Sequence, residues 1–168
     1  MTKSRSQPKK TRHSDTPLFK TITVNRRARF DYEVLESIEA GLVLTGTEIK
    51  AIREGRINIR EAFARPDQTE LWLYNCHIAP YSGGNLNNHE PIRPRKLLLH
   101  KEQIAALSAK VGEKGYTLVP LRLYLKSHRA KIELGLCRGR KIYDKRQVIA
   151  EREDKRDMER AGKIRLLA

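Results

Sequence analysis

The stretch YTLVPLRLYLK at residues 116–126, followed after SHR by AKIELGLCRG, constrains the chain more than any other feature. Leu121, Leu123 and Leu125 recur at every second position, the period of a strand with one face buried. Two long antiparallel strands joined at SHR need further strands to cover that face, so a β-rich domain is expected. Pro120 lacks an N–H and predicts an edge strand or a bulge at that point.

The upstream segments supply further elements. FDYEVLESIEAGLVLTG, residues 30–46, reads as β structure, with Leu42, Val43 and Leu44 forming a short apolar strand after a turn at Gly41. Thr45 stands three residues before Glu48, the spacing of a capping box, and Gly55 is placed to end a short helix whose buried face holds Ile49 and Ile52. INIREAFARP and ELWLYNCHI form a hairpin around the turn chemistry of PDQT, with Leu71, Leu73 and Cys76 inward. SGGNLNNHEP is an exposed loop. KEQIAALSAKVG has Ile104, Leu107 and Val111 at helical spacing and Gly112 as its stop. Short strands interrupted by helices fit a mainly β domain, an OB-fold-like antiparallel β-barrel with two to three short peripheral helices. An α+β sandwich satisfies the same pattern.

With 168 residues there is room for one ordinary domain. Charge then separates that domain from its ends. Residues 1–29 hold nine Lys/Arg against one acid and residues 138–168 hold eleven against six, whereas the middle is nearly balanced at fifteen against thirteen. The expected organisation is a flexible basic leader at 1–24, an OB-like barrel at 25–143, and a basic tail at 144–168. The opening MTKSRSQPKKTRHSDTP has no apolar periodicity to offset its ordering entropy, and no amphipathic pattern favours a presequence. In the tail, Met158, Ala161 and Ile164 share a helical face that Gly162 interrupts, so helix is expected only against a partner. A net charge of +15 points to a polyanion, because each cation that neutralises a phosphate releases counterions. No apolar run reaches the roughly 20 residues of a bilayer span and no secretory signal opens the chain, so a cytoplasmic location and no membrane partner are expected. Cys76 and Cys137, far apart, read as reduced, buried thiols.

Two segments have the chemistry of RNA contact. RGRKIYDKR, residues 138–146, puts five cations among nine residues, with Gly139 permitting close backbone approach to phosphate and Tyr143 offering a ring for stacking. NRRARFDYE, residues 25–33, repeats the combination with Arg26, Arg27 and Arg29 beside Phe30 and Tyr32. If the ends of the sheet meet in space, both basic segments flank one surface. Catalysis finds no support: the five histidines are scattered, metal-binding and nucleophile motifs are missing, and Glu36, Glu39 and Glu48 share no face by periodicity, each reading better as a solvated or capping residue. No catalytic residue, metal or cofactor is expected.

These residues resemble the SsrA-binding proteins of bacterial trans-translation. The likeness runs in order through NRRARFDYEVLESIEAGLVLTGTEIKAIREG, ELWLYNCHIAPY, NHEPIRPRKLLLHKEQI, GYTLVPLRLYLK and KIYDKR. It implies an OB-like barrel that binds the tRNA-like domain of transfer-messenger RNA and accompanies it to the stalled 70S ribosome, without catalytic turnover. It also implies indirect dealings with elongation factor Tu and alanyl-tRNA synthetase through the RNA. Carried onto this chain, the resemblance assigns Asn25, Arg26, Arg27, Tyr32, Glu39, Arg138, Gly139, Arg140 and Lys141 to transfer-messenger RNA. It assigns Tyr143, Asp144, Lys145 and Arg146 to the small-subunit decoding centre, and the tail to the empty messenger channel as a helix. The tail departs from the family by placing Asp154 and the Ala161-Gly162 pair mid-segment and its apolar residues at Ile164, Leu166 and Leu167. From the residues alone, a structural ribosomal protein and, with only scattered acids behind it, an OB-fold nuclease remain as other readings.

Overall fold

The computed structural model describes residues 19–84, 88–113 and 115–140, together with Asp154 and Met158. Along the chain run β1 (Phe19–Val24), α1 (Ala28–Asp31), β2 (Tyr32–Leu42), α2 (Gly46–Arg53), β3 (Ile57–Asn58), β4 (Phe63–Asp67), β5 (Glu70–Tyr74), β6 (His77–Ile78), β7 (Arg95–Leu98), α3 (Lys101–Gly112), β8 (Tyr116–Lys126) and β9 (Arg129–Gly139). The described part is mainly β, as the sequence predicts, with three helices. The large sheet has the order β1-β8-β4-β5-β7-β2-β9, and β9 also pairs with β8, so the strands close into a ring with β1 attached outside. β3 and β6 form a separate short pair.

The ring is filled by Leu71, Leu73, Leu97, Leu118, Leu123, Ile132 and Leu134, with Ile52 from α2 and Leu107 from α3 closing it. The expected helix faces are present: Ile52, Ile104 and Leu107 are buried, and Ile49 and Val111 half-buried. Thr45 and Glu48 form the capping box, Thr45 Oγ1 accepting from the Glu48 N–H at 3.4 Å and Glu48 Oε2 accepting from the Thr45 N–H at 2.8 Å. Such a cap contributes about 1 kcal/mol.

Glu48 is not solvated, however. It is fully buried, as is Arg95, whose Nε donates to Glu48 Oε1 at 2.9 Å. Arg93 grips the same carboxylate through two bonds of 2.8 and 2.6 Å. The remaining Arg95 donors reach the carbonyls of Cys76, Arg93 and Pro91. Desolvation is the strongest influence on the Glu48 carboxyl and acts to raise its pKa, but the bonds from Arg93 and Thr45 and the charges of Arg95 and Arg93 together hold it below its ordinary value. One carboxylate thus ties α2 to β7 and to the segment before it.

Four sequence expectations change. Residues 19–24, assigned to the leader, form β1, whose Phe19 to Val24 pair with Lys126 to Arg122 of β8. The NRRARF segment makes the helical turn α1 before the strand begins at Tyr32. No turn occurs at Gly41, because β2 runs straight through it to Leu42. What Gly41 supplies is space: a Cβ there would lie 3.2 Å from the Leu98 Cβ of paired β7. Leu121 does not share a face with Leu123 and Leu125. The bulge predicted at Pro120 is present between Pro120 and Arg122, and a second interrupts β2 between Val34 and Glu36. A bulge flips the side-chain alternation. Leu121 and Val119 therefore turn outward with Ala28 and Cys137 into a small second core, against which Tyr32 and Val34 pack. Gly135 leaves room for this, since a Cβ there would stand 3.0 Å from Leu121 Cδ1. Both cysteines are buried and unbridged, and burial pushes each thiol up to about 11.

Candidate nucleic-acid interface

Asn25 turns the chain from β1 into α1. Its side chain is buried, donates to the Ile59 carbonyl at 3.1 Å and accepts from the Ala28 N–H at 3.0 Å, while its own N–H donates to the Leu121 carbonyl at 2.7 Å. An Asn so committed acts on a ligand through what it positions: the exposed arginines Arg26, Arg27 and Arg29 directly after it. Arg27 is already paired, with Asp31 at 3.0 Å and Glu61 at 2.9 Å, both exposed contacts of small worth. Arg26 and Arg29 make no ion pair among the described residues.

Strand register joins the two basic segments. β2 and β9 pair Tyr32 with Gly139 and Glu33 with Arg138, and the Arg140 N–H donates to the Asp31 carbonyl at 3.1 Å. The end of β9 is thereby laid beside α1 and the start of β2. Arg138 and Gly139 are exposed, and Arg140 is half-buried with its Nε lacking a hydrogen-bond partner among the described residues. An open cleft of about 330 Å³ lies here, lined by Arg29, Tyr32, Glu33, Val34, Ser37, Leu121, Glu133 and Arg140. Two guanidiniums and two carboxylates share it with the apolar Val34 and Leu121 and one half-buried tyrosine ring, which suits a nucleotide with its phosphate on guanidinium and its base on the ring.

Glu39 is not part of that cleft. It lies on the same strand seven residues beyond Tyr32, roughly 20 Å away at the rise of an extended chain. The cleft floor at Ser37 and Glu133 leads toward it, so Tyr32 and Glu39 occupy opposite ends of one outer face formed by β2, β9 and β8. Around Glu39 the Tyr124 hydroxyl donates to Oε2, Lys131 Nζ stands 3.3 Å from Oε1, and Lys126 Nζ 3.8 Å from Oε2. The Tyr124 bond, ahead of the two lysines, lowers the Glu39 pKa below its ordinary value. The tyrosine pays in the other direction: burial first, then the carboxylate, raise it to about 12.

Sequence reasoning missed Phe19, Arg122, Tyr124, Lys131 and Glu133 at this end. The signal was present in β8, where the residues between the alternating leucines are Arg122 and Tyr124. Attention to the apolar half of the alternation hid the polar half. Lys141, Tyr143, Asp144, Lys145 and Arg146 lie outside the described residues.

The carboxylates of Glu36, Glu39 and Glu48 are scattered and each is engaged by a cation. Glu36 pairs with Lys110 at 2.5 Å, Glu39 with Lys131, and Glu48 with Arg93 and Arg95. Among the described residues no group of three His, Cys, Asp or Glu is placed to hold a metal, and no helix is long and apolar enough to cross a membrane.

Residues 22–164 match the SmpB protein family. The chain is 58% identical over 146 residues to an SsrA-binding protein of Carboxydothermus hydrogenoformans, covering 87% of this chain and 98% of that one. It is 56% identical over 147 residues to an SsrA-binding protein of Thermosynechococcus vestitus, covering 87% and 97%. Among solved structures, one described as "tmRNA-SmpB: a journey to the center of the bacterial ribosome" aligns with a TM-score of 0.62 and 50% identity over 71% of this chain and 85% of that one.

Proposed function

The chain belongs to the SmpB family of RNA-binding proteins, and from that membership we propose that it binds SsrA RNA, the transfer-messenger RNA, and acts with it in trans-translation on the ribosome. It is a binding protein and not an enzyme. The observation that carries the reading is the β2–β9 register, which lays Arg138, Gly139 and Arg140 beside the start of β2 and brings Arg140 into one cleft with Arg29 and Tyr32. A surface of this kind supplies electrostatic affinity through the cations and distinguishes single-stranded or looped RNA through stacking. Arg27 adds a charge that RNA can draw away from Asp31 and Glu61, and Asn25 holds the corner from which these arginines project. Glu39 accepts hydrogen bonds from a base edge or 2′-hydroxyl, and Lys141 extends the cationic row.

The finer reading assigns Tyr143, Asp144, Lys145 and Arg146 to the small-subunit decoding centre and the tail beyond them to the messenger channel, sensed when empty. Its support is order in the sequence: the RNA-facing strand β9 leads directly into these residues, so one element would connect the two partners. In this reading elongation factor Tu and alanyl-tRNA synthetase act on the RNA, the leader before β1 adds general electrostatic attraction, and the site of action is the cytoplasm.

Expression of the full chain in a bacterium, followed by affinity capture and sequencing of the bound RNA, tests the reading. Transfer-messenger RNA is expected to dominate the captured reads. Capture of ribosomal RNA alone, in salt-washed ribosomes at full occupancy, would instead identify a structural ribosomal protein.

A further inference from the structure

The Glu39 end of the outer face carries an arrangement that cations alone do not explain. Phe19, the first residue of β1, is 46% exposed, and its ring lies against that of Tyr124 with centroids 4.6 Å apart and planes tilted by 35°. The Arg122 guanidinium sits 5.8 Å from the Phe19 centroid and 5.4 Å from that of Tyr124, and is itself held by Glu133. Burial gives the fold little return on a phenylalanine left half in water. An immobilised ring backed by a guanidinium is, however, a prepared surface for stacking a base.

Beside it stands the Glu39 carboxylate, fixed by Tyr124 on one oxygen and by Lys131 on the other, and still 38% exposed. Each oxygen of an ionised carboxylate accepts two hydrogen bonds, so both keep capacity for a ligand. An acid repels phosphate and therefore faces a base edge or a sugar hydroxyl. Two adjacent acceptors match two adjacent donors, and of the four RNA bases guanine alone presents such a pair on its Watson–Crick edge, N1–H and N2–H. Lys126 and Lys131 flank the carboxylate, placed to meet the phosphates on either side.

We infer that Phe19 and Glu39 form a recognition site for one unpaired guanine of the RNA partner, the base stacked on the Phe19 ring and its N1–H and N2–H donated to Glu39. Tyr124 is a positioning residue that acts through the carboxylate. The inference rests on the RNA-binding reading and adds to it a base identity and a residue, Phe19, that precedes every motif segment.

The test uses the full chain and a transfer-messenger RNA transcript probed with kethoxal, which modifies the N1 and N2 positions of unpaired guanines. Wild type is expected to protect a guanine that becomes reactive again with Phe19→Ala and with Glu39→Gln. Affinity should fall on the order of tenfold for Phe19→Ala, the usual scale for loss of one stacked base, and remain near wild type for Phe19→Trp. Inosine at the protected position lacks the N2 donor and should weaken binding to wild type but not to Glu39→Gln. Protection that persists in both variants, or indifference of wild type to inosine, overturns the inference while leaving RNA binding intact. Failure of wild type to bind the transcript at all overturns the broader reading. Glu39→Gln is isosteric and Phe19→Trp conservative, so the test does not depend on Phe19→Ala folding.

Discussion

Arg95 and Arg140 carry the same guanidinium, and the fold uses them in opposite ways. Arg95 is sealed behind α2, its donors taken by Glu48 and three backbone carbonyls. Arg140 lines an open cleft with its Nε unmatched, beside Arg29 and Arg138 that pair with nothing among the described residues. One region commits its cations to architecture, and the other leaves them unpaired at an open cleft. Net charge sums both and distinguishes neither. The distinction lies in hydrogen-bond satisfaction: a fully buried ion must be matched for the chain to fold, whereas the half-buried Arg140 at an open cleft leaves its Nε unmatched at smaller cost.

The comparison breaks most visibly at Glu48. Glu48→Ala leaves Arg95 buried without its counter-charge, and urea denaturation should show a loss of about 3–5 kcal/mol, with RNA binding lost only as the domain unfolds. A loss below about 1 kcal/mol would mean that the network is not what joins α2 to β7. At the other region the pattern should invert. Arg138→Ala combined with Arg140→Ala should leave the unfolding midpoint nearly unchanged, within about 0.5 kcal/mol, as for ordinary surface substitutions. The dependence of transfer-messenger RNA affinity on salt should become shallower, by roughly 0.7–0.9 in slope for each phosphate contact removed.

Acid sharpens the contrast further. The Glu48 and Glu39 carboxyls are both held below their ordinary value of 4.5 in the folded protein. A depressed carboxylate contributes stability that is complete above the unfolded pKa and is lost as pH falls through the folded one. Melting temperature should therefore decline as pH drops below about 4.5, and the decline should be shallower in Glu48→Gln than in wild type. Glu39 is 38% exposed and should contribute the smaller part. The cap touches stability alone and modestly: Thr45→Ala should cost about 1 kcal/mol in denaturant and leave RNA affinity unchanged.

Much of this architecture was legible in residue order. The capping box at Thr45, the helix through Ile104 and Leu107, the hairpin of β4 and β5, and the bulge at Pro120 all follow from local chemistry. What escaped depends on residues far apart in sequence. β1 has little apolar alternation of its own and is a strand because β8 offers an edge to pair with. The face of Leu121 is set by a bulge that Gly135 on the opposite strand permits. The burial of Glu48 needs two arginines more than forty residues away. The same holds for the candidate site. Arg29 and Arg140 each read as RNA contacts from composition, but only register makes them neighbours. The burial of the Asn25 side chain against Ile59 was not legible either, and Tyr124 read as part of a core strand while its hydroxyl holds Glu39.

The central claim is that RNA occupies the outer face of β2, β9 and β8. Photo-crosslinking of the full chain to transfer-messenger RNA, with the modified peptides mapped by mass spectrometry, tests it most directly. Crosslinks are expected at Arg29, Tyr32, Arg138 and Arg140, with Phe19 marking the far end of the same face. The ring has another outward aromatic set, Phe63 stacked on Tyr74 with Trp72 nearby on β4 and β5. Crosslinks concentrated there and missing from Tyr32 and Arg140 would contradict the account.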